Sequence, residues 1–339
     1  MIYIGTYGTG IYQIPFEGGK LGAVSSLAQV QNPSYLCTSQ KEDRLYAVIE
    51  TGMFEGQYGG GVAMISRKTG QVLSSSGTAS KDPCHITESP DGSRLYAANY
   101  SEGSLSVHPI EGNQFSQAEV IRHEGHSAHP QRQEMPHVHC VQFTPDQKYL
   151  CVVDLGIDEV VLYQERKTGL RRVGRILFPD GAGPRHIAFS EDGHFAYVVT
   201  ELTSEVFVYR YEDGNFTELQ VISALPDGVS YPQSSGAAVH LWGDYLFTSN
   251  RGHDTIAVFQ RNGESGRLSL LGWIPAHGKT PRDFLLLEEN GNTYLLTANQ
   301  ESDTLVLFSF DEKDGTAKKL QTVTVEKPVC LLSVSEETV

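Results

Sequence analysis

The sequence predicts an all-β fold, a seven-bladed β-propeller with four antiparallel strands per blade, as one domain over residues 1–339. Three observations predict it. A short strand ending in a polar or aromatic residue recurs at intervals of about fifty residues. It is read at Tyr46-Ala-Val-Ile-Glu50, Tyr96-Ala-Ala-Asn-Tyr100, Leu150-Cys-Val-Val-Asp154, Tyr197-Val-Val-Thr-Glu201, Phe247-Thr-Ser-Asn-Arg251 and Leu296-Thr-Ala-Asn-Gln300, and the opening Tyr3-Ile-Gly-Thr-Tyr7 fits the same template. A preceding strand starts near Pro33, Pro83, Pro136, Pro184, Ser234, Pro281 and Pro328. The last unit carries only that preceding strand, whereas the first opens on a second-strand piece, so the two chain ends complete one blade and leave no free edge.

One unit shows the elements in order. Pro184-Arg-His-Ile-Ala-Phe-Ser190 alternates polar and apolar residues as a strand does. Glu191-Asp-Gly-His194 is a hairpin turn, and Phe195-Ala-Tyr-Val-Val-Thr200 is the next strand, rich in β formers. Glu205-Val-Phe-Val-Tyr-Arg210 and Asn215-Phe-Thr-Glu-Leu-Gln-Val-Ile222 supply the third and fourth strands. Equivalent turns recur at Ser89-Pro-Asp-Gly92, Thr144-Pro-Asp-Gln147 and Glu289-Asn-Gly291. Two longer insertions, 53–60 and 123–135, are expected as loops on one face of the disc.

Composition narrows the function. A formal net charge of −15 argues against nucleic acid and anionic membranes as partners. No run of 18 or more apolar residues is present, so no membrane-spanning helix is expected. The start reads as a strand rather than a signal peptide, and the five cysteines lack metal or redox spacing. They are expected as small buried hydrophobes in a reducing cytoplasm. An anionic small-molecule ligand would be repelled by the whole and must be drawn in by a local cluster of cations.

The propeller says where that cluster should be. The first strand of each blade lines the central channel and the second runs antiparallel beside it. The starts of the first strands and the ends of the second therefore ring the same channel mouth. The second-strand ends are Tyr7, Glu50, Tyr100, Asp154, Glu201, Arg251 and Gln300, and the first-strand starts hold His85, His137, His139, Arg185, His186 and Arg282. So dense a set of charges at one opening is the expected active site.

Each residue has an ordinary alternative. Glu201 could be a structural partner of Arg185 or Arg251, and His139 and His186 could bond a neighbouring blade. Asp154 could cap a turn, and the recurring Asp158, Asp254 and Asp303 are expected as turn formers. Arginine at a strand start is harder to dismiss, because a buried guanidinium needs a carboxylate or an anionic ligand. His137 and His139, two apart on a strand, would share one face as a metal pair does, but no third ligand follows at fixed spacing, so no metal is assigned. Nucleotide-binding and serine-hydrolase motifs are absent.

Several motifs together resemble the lactonase family of seven-bladed propellers: Asn32-Pro-Ser-Tyr-Leu36, Arg132-Gln-Glu-Met-Pro-His-Val-His139, Phe143-Thr-Pro-Asp146, Asp154-Leu-Gly156, Gly183-Pro-Arg-His186, Glu201-Leu202, Ser249-Asn-Arg-Gly252 and Thr280-Pro-Arg-Asp-Phe284. The resemblance runs the length of the chain. It implies hydrolysis of 6-phospho-D-glucono-1,5-lactone to 6-phosphogluconate in the pentose phosphate pathway, without a cofactor or metal. The family is also similar to a fungal carboxymuconate cyclase, and that likeness implies a catalytic set of His137 (or His139), Arg185, Glu201 and Arg251. On that expectation Glu201 is the general base, and Arg185 and Arg251 stabilise the oxyanion. Arg282, with Arg132 or His186, grips the phosphate, and His139, His85, Glu50, Asp154 and Gln300 complete the substrate-binding rim. The partner is thus an anionic sugar lactone bound by a monomer or dimer. Other lactone chemistry on the same site, or a non-catalytic protein-binding disc, are the competing readings; the last requires a large exposed apolar patch on one face.

Overall fold

A computed structural model describes residues 1–39, 43–166 and 169–334 of the chain. Seven antiparallel sheets of the expected order form the blades. From the channel outwards, blade 1 is Pro328–Ser333, Ile2–Thr6, Gly10–Ile14 and Ser25–Gln29, so the ring closes by joining its two ends in one sheet. The inner two strands of blades 2 to 7 are Leu36–Thr38 and Arg44–Ile49, Pro83–Glu88 and Arg94–Asn99, Val138–Phe143 and Leu150–Asp154, Pro184–Phe189 and Phe195–Thr200, Ser235–Trp242 and Tyr245–Arg251, and Pro281–Glu289 and Asn292–Asn299. A third and a fourth strand complete each blade outside these.

Burial explains the sequence pattern strand by strand. Second strands pack against neighbouring blades on both faces and read as continuous apolar runs; every residue of Arg44–Ile49 and of Phe195–Thr200 is buried. Fourth strands, wet on one side, alternate, as in Thr316–Thr324. The core lies between blades. Cys140, Val153 and Val160 of blade 4, for example, share a cluster with Ile187, Ala196 and Phe207 of blade 5.

The recurring aspartates hold one blade to the next. Asp158, Asp254 and Asp303 sit at the corner between second and third strands with left-handed φ of 54°, 57° and 53°. Their carboxylates accept the backbone N–H of Gly183 (2.7 Å), Thr280 (2.8 Å) and Lys327 (2.8 Å). Each of those residues precedes the proline that opens the next inner strand, so the Asp fixes the entry of the following blade.

Inner strands share a further feature that alternation alone does not reveal. Their pairing with the second strand slips by one residue at the entrance, between Pro83 and His85, Val138 and Cys140, Pro184 and His186, and Pro281 and Asp283. The extra residues are Cys84, His139, Arg185 and Arg282. A β-bulge re-aims a side chain and bends its strand, and here it recurs where the channel opens.

Both insertions emerge on this same face. Residues 53–60 carry a small hairpin, Met53–Phe54 with Gln57–Tyr58, rather than an irregular loop. Residues 123–135 are pinned by the fully buried Gln133, whose amide donates to Leu155 O at 2.9 Å and accepts from His129 N at 3.0 Å. Among the described residues no helix is long and apolar enough to cross a membrane.

Candidate active site

Glu201, just past the second strand of blade 5, is the centre of the mouth. Its carboxylate is 3% exposed and receives three guanidinium groups from three parts of the chain. Arg185 Nε donates to Oε2 at 3.1 Å, Arg251 Nη2 lies 2.8 Å from the same oxygen, and Arg132 Nη2 takes Oε1. Burial alone would raise this carboxyl; the charges of Arg251, Arg132 and Arg185 outweigh it and hold Glu201 well below the usual carboxylate range. Three positive charges against one negative leave an excess of two at this point of a protein whose net charge is −15.

The arginines are held rather than free. Arg185 Nη1 also donates to Ala237 O at 2.7 Å and to His186 Nε2 at 3.1 Å. Desolvation, with repulsion from Arg251 and Arg282, pushes Arg185 down to about 10. Arg251 Nη2 donates to Gly236 O at 3.0 Å, and its buried Nε has no hydrogen-bond partner among the described residues. An unpaired buried N–H of this kind is ready for an acceptor.

Arg132 reaches the centre because Gln133 anchors its loop, which accounts for the Arg-Gln pair in the motif. Its Nη2 also donates to the hydroxyl of Tyr100 at 2.9 Å. The Tyr100 ring stacks on His137 at 4.5 Å and 16°. His137 Nδ1 lies 2.9 Å from Tyr100 O, and a carbonyl can only accept. Nδ1 is therefore the donor of that bond, and Nε2 lies 3.8 Å from Glu134 Oε2. Two close approaches support this corner. A Cβ on Gly156 would meet Met135 O at 2.0 Å and His137 N at 2.6 Å, which explains Asp-Leu-Gly. Gly183 holds φ of +66° where a Cβ would meet Leu202, as Gly-Pro-Arg requires.

Across the mouth lies a second carboxylate. Glu50 accepts from Tyr7 Oη at 2.9 Å and from Ser34 Oγ. Burial raises its pKa, although Arg282, Ser34 and Tyr7 oppose the rise. Arg282 rests over the Tyr7 ring at 5.2 Å and makes no hydrogen bond or ion pair among the described residues. Burial would lower its pKa, but Tyr7, Glu50 and Glu201 more than restore the charge. Ser34, Glu50, Cys84, Arg185, His186 and Arg282 line one narrow cavity, so that Arg185 touches both this cavity and the Glu201 carboxylate.

Three histidines sit beneath as neutral rings. His186 stands edge-on to His85 and to His139, each at 5.5 Å. Burial and the Arg185 charge lower all three, His85 to about 3. His85 is also stacked under Tyr35 at 3.9 Å, with its Nε2 3.4 Å from Cys140 Sγ. Among the described residues no group of three or more His, Cys, Asp and Glu side chains is arranged to hold a metal, and the five cysteines are free thiols.

Several sequence assignments change. Asp154 is fully buried: Oδ1 accepts from His137 N (2.7 Å) and Gly156 N (3.0 Å), and Oδ2 pairs with His123 Nδ1 at 2.7 Å. It is a turn cap that sets the backbone of His137, not a rim residue open to substrate. His137 and His139 both pack on the Tyr100 ring, stacked at 4.5 Å and edge-on at 5.6 Å, and His139 is the extra residue of the bulge. Gln300 turns its amide to Glu301 at 2.7 Å. Tyr100, Tyr7 and Ser34 were visible only as strand ends or motif letters. Their signal was position in the repeat, but aromatic and hydroxyl side chains have too many structural uses to single out.

The comparisons agree with this architecture. Residues 1–333 match the family described as lactonase, 7-bladed beta-propeller. The 6-phosphogluconolactonase of Bacillus subtilis is 36% identical over 97% of each chain. The solved periplasmic gluconolactonase of Pseudomonas aeruginosa superposes with a TM-score of 0.89 at 33% identity, over 98% of each chain. A solved protein from Lactobacillus plantarum gives 0.88 at 32%, over 97% of this chain and 98% of that one. The chain belongs to the lactonase family of seven-bladed β-propellers.

Proposed function

We propose that the protein opens the ring ester of 6-phospho-D-glucono-1,5-lactone at the channel mouth. Its family makes it a carboxylic ester hydrolase acting on lactones. The observation that carries the substrate is Arg282, a half-buried cation with no ion pair among the described residues, which shares one cavity with Arg185 of the guanidinium cluster on Glu201. A phosphorylated lactone has two electron-rich ends: a phosphate for Arg282 and a carbonyl for the cluster.

Hydrolysis needs a base for water and positive charge for the oxyanion. A carboxylate held as low as Glu201 is a weak proton acceptor, so its role is to fix Arg132, Arg185 and Arg251. Arg185 and Arg251 then face the carbonyl oxygen as it becomes negative. The base is His137, whose ring is oriented by the bond from Nδ1 to Tyr100 O and whose Nε2 lies 3.8 Å from Glu134 Oε2. Arg282 takes the phosphate through charge-assisted bonds. Five free thiols support a reducing compartment, and we place the protein in the cytoplasm on that ground.

The test is initial rates with freshly made 6-phosphogluconolactone and D-glucono-1,5-lactone, corrected for spontaneous opening. A preference for the phosphorylated compound that disappears in Arg282→Met supports the reading. A protein that accelerates neither lactone sinks it, and one faster on the unphosphorylated lactone replaces the substrate.

A further inference from the structure

We propose that Glu50 is the acid that protonates the ring oxygen as the lactone opens; this rests on the lactone-hydrolase reading above. The argument starts from how its carboxyl is held. Tyr7 and Ser34 give it hydroxyl donors, and among the described residues it forms no ion pair. It lines the same cavity as Arg185, His186 and Arg282. A carboxyl that must hand over a proton needs contact with the reacting space and no cation clamped on it. Glu50 meets both conditions, and Glu201 fails the second.

The titratable and charged groups around Glu50 come from several blades. Tyr7 and Arg282 act from blades 1 and 7, Asp82 and Cys84 from the entry to blade 3. Arg185, His186 and Asp283 lie across the cavity. Burial is the largest influence and favours the protonated form. A bound phosphate dianion near Arg282 would favour it further.

Substrate geometry places the proton where it is needed. In a 6-phosphorylated 1,5-lactone, the ring oxygen and the phosphate-bearing carbon are both attached to C5. A group beside the cation that holds the phosphate is therefore beside the leaving oxygen. Water adds to C1 while His137 Nε2 takes its proton. The C1–O5 bond then breaks, its electron pair goes to O5, and the Glu50 proton turns O5 into a hydroxyl. The new carboxylic acid ionises to solvent, and the proton on His137 returns through water to Glu50.

The experiment compares leaving groups. A phenol departs without help, whereas a sugar hydroxyl does not. Glu50→Gln should slow 6-phosphogluconolactone and D-glucono-1,5-lactone by about 10²-fold or more in kcat, and dihydrocoumarin at least tenfold less. Glu50→Asp, which keeps an acid, should recover part of the loss. In parallel, infrared difference spectra of the wild type and Glu50→Gln should assign to Glu50 a protonated-carboxyl band. That band should titrate above the ordinary glutamate value of about 4.3. An equal loss on sugar and phenol lactones, or a Glu50 band titrating in the ordinary range, overturns the proposal. If the wild type opens neither sugar lactone, the functional reading fails instead, and the infrared titration still decides the state of Glu50.

Discussion

Glu50 and Glu201 occupy the same place in their repeats, one residue beyond a second strand, yet their surroundings drive them apart. Glu201 meets three guanidinium groups and stays ionised. Glu50 meets two hydroxyls, and burial raises its pKa. The difference comes from the neighbouring repeats. Arginines follow the opening proline or end the second strand in blades 5 and 6, and an insertion adds a third; beside Glu50 stand Tyr7 and Ser34. Carboxylates pushed in opposite directions around one channel mouth divide electrostatic and proton-transfer work between them.

The largest expected break is Glu201→Gln. It leaves three buried or half-buried guanidiniums without their counter-charge and should cost about 3–5 kcal/mol, read by denaturant unfolding. Unfolding curves that overlay the wild type would mean the cluster is neutralised elsewhere. Next is Arg185→Met, expected to lower kcat by about 10²–10³-fold through loss of oxyanion charge. A wild-type kcat would remove Arg185 from that role.

Arg282→Met acts on the Glu50 side. It should raise KM for the phosphorylated lactone by about 10–100-fold, the worth of charged hydrogen bonds, while hardly moving that for the unphosphorylated one. Equal changes for both would place the phosphate elsewhere.

The pH dependence of stability sharpens the contrast. Glu201, lowered in the folded state, binds its proton more weakly than in the unfolded chain. Its contribution is complete above the unfolded value of about 4.3 and is lost as pH falls through the folded one. Glu50, raised on folding, has the opposite sign: its ionisation destabilises the fold as pH rises from the unfolded value through the folded one. Relative to wild type, Glu50→Gln should therefore gain stability over that rise, whereas Glu201→Gln should lose acid sensitivity. Parallel melting-temperature profiles for all three would refute the opposition. The smallest effect is expected for Tyr100→Phe, which keeps the stack on His137 but removes one of the Arg132 partners, at about threefold in kcat/KM.

The ring itself was legible because it repeats. Polar residues at strand ends, prolines at strand starts and aspartates at corners recur at matching positions, and each blade repeats the same backbone demands. Arg185, Glu201 and Arg251 could be placed together for the same reason. Arg132 was quoted within a motif, yet its reach to Glu201 depends on the buried Gln133 holding a loop that no repeat constrains. Asp154 was misassigned because an acid at a strand end looks the same whether it faces the mouth or caps the next turn. The bulges were invisible because one extra residue leaves composition unchanged while redirecting Cys84, His139, Arg185 and Arg282.

The chain order of residues determined a closed seven-bladed ring and the positions that surround its mouth, since hydrophobic periodicity and turn chemistry act locally and add up. Only the tertiary structure decided which mouth residues touch, which carboxylate keeps its charge and which is driven toward its proton. Those outcomes depend on ångström-scale distances and on burial between distant repeats, and electrostatic energies change steeply with both.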